Sequence, residues 1–177
     1  MKKKYLIILL LFLSVSAFSQ DQIKVLPIDS LNNYAKNNDS ILSKIDNIYF
    51  HLQKSLYAET TDTLPEQIMR VKSKIIAIND DFSAIEIDMN FSQIKESFLI
   101  ILRAVIDFNN LHLSKTEEFY NKLRIAEKHN DNKEKENADT EICDFFKKFE
   151  EYKKPFIVNY KNEIENKKNL IISENKK

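Results

Sequence analysis

The sequence predicts an all-α fold, an antiparallel up-down-up-down four-helix bundle, and three observations lead there. The chain has no glycine in 177 residues. Glycine reaches positive φ at little cost, so tight two-residue hairpins lose their favoured residue. Apolar residues recur in alternating steps of three and four over long stretches, the spacing of a helix with one apolar face. Asparagine is plentiful between those stretches, and it tolerates the left-handed conformation at helix ends next best after glycine.

The N-terminus has a different pattern. MKKKYLIILLLFLSVSAFSQ places three lysines before an apolar run from Tyr5 to Leu13, then small and polar residues. That is the layout of a cleaved secretory signal peptide over residues 1–19, with Ala17 and Ser19 as the small residues before the cut. The run is about half of what a spanning helix needs, roughly 18 residues or more. A lipid anchor would need a cysteine just after it, and the single cysteine is Cys143. The expected product is a periplasmic or secreted protein, not a lipoprotein, folded as one domain over residues 20–177.

Cleavage would remove Lys2, Lys3 and Lys4 but no acid, leaving 24 of the 27 basic residues against 27 acidic ones, a net charge of −3. The lysines are interspersed with glutamates, as on a solvated helix face, which argues against a nucleic-acid partner. One cysteine permits no internal disulfide.

The first helix is expected to start at Asp29 or Ser30, with Leu31, Ala35, Asn38, Leu42, Ile45, Tyr49, Leu52 and Leu56 on one side. Asn38 lies on that stripe, where a polar residue can set register at some cost in stability. A short turn at residues 59–62 follows. The second helix spans about 64 to 87, with Leu64, Ile68, Val71, Ile75, Ile78, Phe82, Ile85 and Met89 as a coiled-coil-like stripe. Thr63-Leu64-Pro65-Glu66 opens it as a capping box, with proline where its missing N–H costs nothing.

The third helix begins near Asn90 and carries Ile94, Phe98, Ile101, Val105, Phe108, His112, Phe119, Leu123 and Ala126. Run continuously to His129 it would be about 58 Å long, against about 36 Å for its predecessor. Ser114-Lys115-Thr116-Glu117 is a second capping-box match, so the helix either splits near 114 or overhangs. The last helix carries Ile142, Phe145, Phe149, Tyr152, Phe156, Tyr160, Ile164 and Ile171. Pro155 falls inside it and predicts a kink or break. The tail from about 173 is expected to fray.

Recognisable catalytic patterns are absent. Without glycine there is no Walker loop, dinucleotide fingerprint or nucleophile elbow. The residues three before His51, His112 and His129 are Ile48, Asn109 and Ala126, so the Glu-x-x-His pairs of di-iron bundles are missing. The scattered histidines and lone cysteine do not make a zinc set. No cofactor or metal is expected.

His112 reads as a core imidazole bonded to Thr116, Asn109 or a backbone carbonyl beside the break, since buried polar groups find partners. The alternative is a ligand, cofactor or enzyme pocket inside the bundle around Tyr49, His112 and Tyr120. The stretch FFKKFEEYKKPFIVNY, residues 145–160, is dense in aromatics. Phe146, Tyr152, Pro155, Phe156, Ile157, Val158 and Tyr160 form a candidate partner-binding patch, set against a wide core face. The expected function is an exported, non-catalytic helical protein that binds a partner protein or unfolded chains.

Two short patterns resemble known ones. Thr63-Leu64-Pro65-Glu66-Gln67 resembles the Leu-Thr-x-x-Gln helix start of the small periplasmic stress chaperones related to Spy and CpxP. Here the first two residues are reversed and the motif occurs once. The resemblance implies an exported all-helical chaperone. Asp29-Ser30-Leu31, Asp39-Ser40-Ile41 and Asp62-Thr63-Leu64 resemble the Asp-Ser/Thr-apolar acceptor of bacterial O-glycosylation. Asn38-Asp39-Ser40 and Asn90-Phe91-Ser92 match the N-glycan pattern.

Overall fold

A computed structural model describes residues 28–57, 64–87 and 89–176. Within them the chain is all-helical, with five helices packed together and no strand. These are α1 (Ile28–Tyr57), α2 (Leu64–Ala84), α3 (Ser92–His112), α4 (Lys115–His129) and α5 (Asn132–Glu174), with a 3-10 turn at Met89–Phe91 before α3. The expected signal peptide and the Thr63 end of the first capping box lie outside the described residues.

The apolar stripes become the core much as their spacing requires. Leu31, Asn38, Ile45, Tyr49, Leu52 and Leu56 of α1 are buried. So are Leu64, Ile68, Val71, Ile75 and Phe82 of α2. The second stripe stops short, because α2 ends at Ala84 and leaves Ile85 and Met89 exposed. Helix α3 is the most enclosed, with Leu99, Leu102, Ala104 and Asn109 buried beside its predicted stripe. It needs that wider face because it packs against both α2 and α5.

Helix α5, 43 residues and about 64 Å long, is the backbone of the assembly. Helices α1, α3 and α4 all pack on it, and α2 closes against α1 and α3. Contacts give the sense of each pairing. Asn38 meets Tyr160, and Tyr49 stacks on Phe149, so α1 and α5 run in opposite directions. Phe98 meets Tyr160 while Phe108 meets Phe149, so α3 also opposes α5. Phe119 on Phe145 and Lys122 on Glu141 do the same for α4.

The third stripe splits at Leu113 and Ser114, which makes five helices where four were expected. The second capping box does not form: Ser114 keeps helical angles and its side chain caps nothing. The break works through Thr116 instead. Its buried hydroxyl donates to the Leu113 carbonyl at 2.6 Å, and its amide donates to the same oxygen at 3.2 Å. The Glu117 amide is displaced to Ser114, one residue short of helical register, so the turn tightens to a 3-10 pattern. Pro155 does not break α5, which continues helically to Glu174.

Helix ends are closed without glycine. Asn130 takes the left-handed conformation, φ 52°. Its amide donates to Glu127 O, and the Asp131 amide donates to Ala126 O at 2.9 Å, the pairing of a Schellman motif. Asp131 then caps α5, its carboxylate accepting from the amides of Lys133 and Glu134. At the end of α2, Lys95 reaches over from α3 and donates to Ser83 O at 2.8 Å and to Ile85 O.

Replacing Asp131 with alanine should lower unfolding free energy by about 1 kcal/mol through the lost cap. Asn130→Gly should raise it by about 0.5–1 kcal/mol by relieving the left-handed backbone. Urea denaturation of the two variants beside the parent chain checks both signs.

Candidate functional site

Two features lie between the helices: a set of polar contacts inside the core, and an open cleft beside the α3–α4 break.

Asn38 is almost wholly buried, and its amide donates to the Tyr160 hydroxyl at 2.8 Å. About three turns further along α1, the Tyr49 hydroxyl donates to Asn109 Oδ1, while its ring stacks on Phe149 at 3.7 Å. Burial raises the phenol pKa of both tyrosines, and the bonds to Asn109 and Asn38 only partly oppose it. Between these levels Lys153 lies buried, 4% exposed. Its ammonium donates to Asp46 of α1 and to Glu150 at 2.7 Å, and it lies 4.7 Å from the Phe149 ring centre. The stem is enclosed while both acid partners remain half exposed, so the charge is carried out to the rim.

The cleft has a volume of about 700 Å³ and opens between the α3–α4 break and the first half of α5. Its floor is Phe108, His112, Phe119, Phe145 and Tyr152. Phe108 is the hub, with His112 at 4.9 Å, Tyr152 at 5.5 Å and Phe145 at 5.5 Å between ring centres. The rim carries Lys115, Lys122 and Lys148 together with Glu118, Glu141, Asp144 and Glu151. Lys122 joins α4 to α5, bonding Glu141 at 2.9 Å and Glu118 at 3.1 Å. The break shapes this opening, because α4 restarts in a tightened register and His112 ends α3 beside it.

His112 lines the cleft and does not bond the partners expected for it. The Thr116 hydroxyl goes to Leu113, and Asn109 accepts from Tyr49. Of the other two residues in the alternative pocket, Tyr49 is committed to the core, and Tyr120 lies half-buried beneath Arg124 at 4.9 Å. The structure does not bring these three side chains together.

The candidate patch over 145–160 is distributed around α5. Tyr152 lies in the cleft. Phe146 lines a shallower groove with Phe50 on the α1 side. Phe156 faces Ile100 of α3 across a third depression. Ile157 and the exposed Val158 sit by Lys153 and Lys154. Pro155 is exposed and Tyr160 is buried. Sequence reasoning did not single out Lys153, Thr116 or Phe119 as a group. Lys153 is followed by Lys154 and lies one to two turns from Lys147 and Lys148, and no local signal separates the buried lysine from these exposed ones.

Cys143 is exposed and sits beside Tyr57 at the end of α1. Burial, with the Asp139 carboxylate and the Cys143 thiol nearby, pushes the Tyr57 phenol up to about 12. No cluster of three or more His, Cys, Asp or Glu suited to a metal occurs among the described residues. No described helix is long and apolar enough to cross a membrane.

Tyr49→Phe leaves the buried Asn109 carbonyl without its donor and should cost about 1–3 kcal/mol. The double variant Tyr49→Phe with Asn109→Leu should recover part of that loss, read by urea denaturation. Alkaline pH provides a second check. Tyr49 and Tyr160 stay neutral in the fold above pH 10, where the unfolded chain ionises. The unfolded state then binds fewer protons, so stability is full below pH 10 and falls above it. The limit is about 1.4 kcal/mol per pH unit for each tyrosine. A melting temperature unchanged between pH 9 and 11 would contradict the burial argument.

No family model, curated protein or solved structure matches this chain.

Proposed function

We propose that this chain is an exported, non-catalytic helical protein that binds a partner protein or an unfolded chain in the cleft beside the α3–α4 break. The observation that carries this is the aromatic floor of Phe108, Phe119, Phe145 and Tyr152 left open under a charged rim. Aromatic side chains are over-represented where proteins meet, because a rigid ring loses little conformational entropy when covered. The charged rim keeps the opening soluble while it is empty. On this reading the five helices act as an up-down-up-down bundle whose third member is split. The split serves the cleft, since a straight third helix would have no break beside which the groove could open.

Export rests on the lysine-led apolar run ahead of Ala17 and Ser19. After cleavage the protein would act in the periplasm or outside the cell. The chaperone-like helix start at 63–67 agrees with an unfolded-chain client, although it is already explained as a cap.

A second reading is a ligand or cofactor carrier with its pocket at His112. It draws on the same cleft, whose size falls within the range of small-molecule sites, about 300–1,000 Å³. The two readings separate in one experiment. A photo-crosslinking phenylalanine analogue placed at Phe119 should trap a protein in the native envelope fraction, whereas the same analogue at exposed Glu165 should not. Equal trapping at both positions, or a metal or chromophore copurifying with the mature chain, would overturn the protein-binding reading.

A further inference from the structure

The register of α4 on α5 gives the cleft a charge pattern. Phe119 against Phe145 and Lys122 against Glu141 bring Lys115 level with Lys148, both on the rim. Neither of these two lysines forms an ion pair among the described residues. One turn away the balance reverses. There Glu118 and Glu141 both bond Lys122, and Asp144 forms no ion pair among the described residues; beyond the lysine pair the rim carries Glu151. A lysine pair therefore sits with carboxylates one turn away on either side, over a floor of aromatic rings.

This pattern selects among occupants. A small anion drawn to the lysine pair would be repelled by the carboxylates on either side, and so would a phosphate backbone or an anionic lipid surface. A chain segment carrying both signs about one helical turn apart matches the lysine pair and the neighbouring carboxylates at once. The walls of the cleft are helices whose backbone amides are already bonded. An extended peptide would find no ladder partners there, whereas a helix satisfies its own backbone. From Glu141 to Tyr152 the cleft runs about 16 Å along α5, or three turns of a bound helix.

We propose that the cleft takes one amphipathic helix of a partner protein. Its apolar stripe lies on Phe108, Phe119, Phe145 and Tyr152. An acidic residue faces Lys115 and Lys148, and a basic residue one turn away faces Glu118 and Asp144. This rests on the cleft being a protein-binding site and adds the shape and charge of what binds.

The test uses the mature full chain and four fluorescein-labelled, helix-stabilised peptides sharing one leucine stripe. They differ in two flanking positions one turn apart, which carry Glu and Lys, Gln and Gln, Glu and Glu, or Lys and Lys. In low salt the Glu/Lys peptide should bind about three- to tenfold tighter than the Gln/Gln peptide, as expected for two partly exposed ion pairs. The gap should close in about 0.5 M NaCl. It should also vanish in the double variant Lys115→Gln, Lys148→Gln, with circular dichroism unchanged because neither residue belongs to the core. Equal binding of the Glu/Lys and Gln/Gln peptides overturns the charge-matched helix and leaves the protein-binding reading standing. A preference for either like-charged peptide does the same. If no peptide binds, both readings fall. If the parent chain forms a dimer in sedimentation that the double variant loses, the occupant is a second copy and the partner helix is wrong.

Discussion

Burial of α1, α3 and α4 against the single long helix α5 is the constraint on which the rest of this molecule depends. Apolar stripes alone would let those helices slide, because one layer of leucine and isoleucine packs nearly as well as the next. Sliding is opposed by polar groups that have one partner at one level. Asn38 on Tyr160 sets α1 against α5, and Tyr49 on Asn109 sets α1 against α3. A slip of one turn would strand those donors and acceptors in a dry interior, at about 1–3 kcal/mol for each group left unpaired. Lys153 adds a third lock, with its stem enclosed and its charge passed to Asp46 of α1.

The absence of glycine is met by side chains doing what glycine usually does with backbone freedom. Asn130 enters the left-handed region itself. Lys95 closes α2 from a neighbouring helix, and Thr116 turns the chain by diverting the Leu113 carbonyl. The Thr116 device has a consequence for the surface. It restarts the helix in a tightened register, so α4 follows α5 on its own terms, and the aromatic residues on either side of the break are left facing an opening. The cleft is thus a product of how the third helix is broken.

The cleft also shows how a chain of near-balanced charge can hold local fields. Lysine and glutamate are mixed along every helix, as solubility requires. Yet the antiparallel docking of α4 on α5 brings Lys115 level with Lys148 and pairs Lys122 with Glu141. Helix periodicity determines which face each charge occupies. Only the pairing of two helices determines which charges meet.

By itself the sequence determined the helical class and the membership of nearly every stripe, and its expectation of asparagine at helix ends holds at Asn130. Those follow from three-and-four periodicity and local backbone preference, which act within a few residues. It placed Asn38 on a buried stripe correctly, because a polar residue in an apolar series is visible locally. It left the break at 114 open and assigned it to a Ser114 cap, since Thr116 competes for the same turn and its burial is a tertiary fact. The sequence left the aromatic run at 145–160 as either a partner patch or a wide core face, and a helix spreads sixteen successive residues around its whole circumference. Which of them are covered depends on three different neighbours. Tertiary structure alone decided that Lys153 is buried, that His112 faces a cleft, and that Phe119 and Tyr152 share it. Each depends on contacts between residues more than twenty apart in the chain, and no local pattern carries such information.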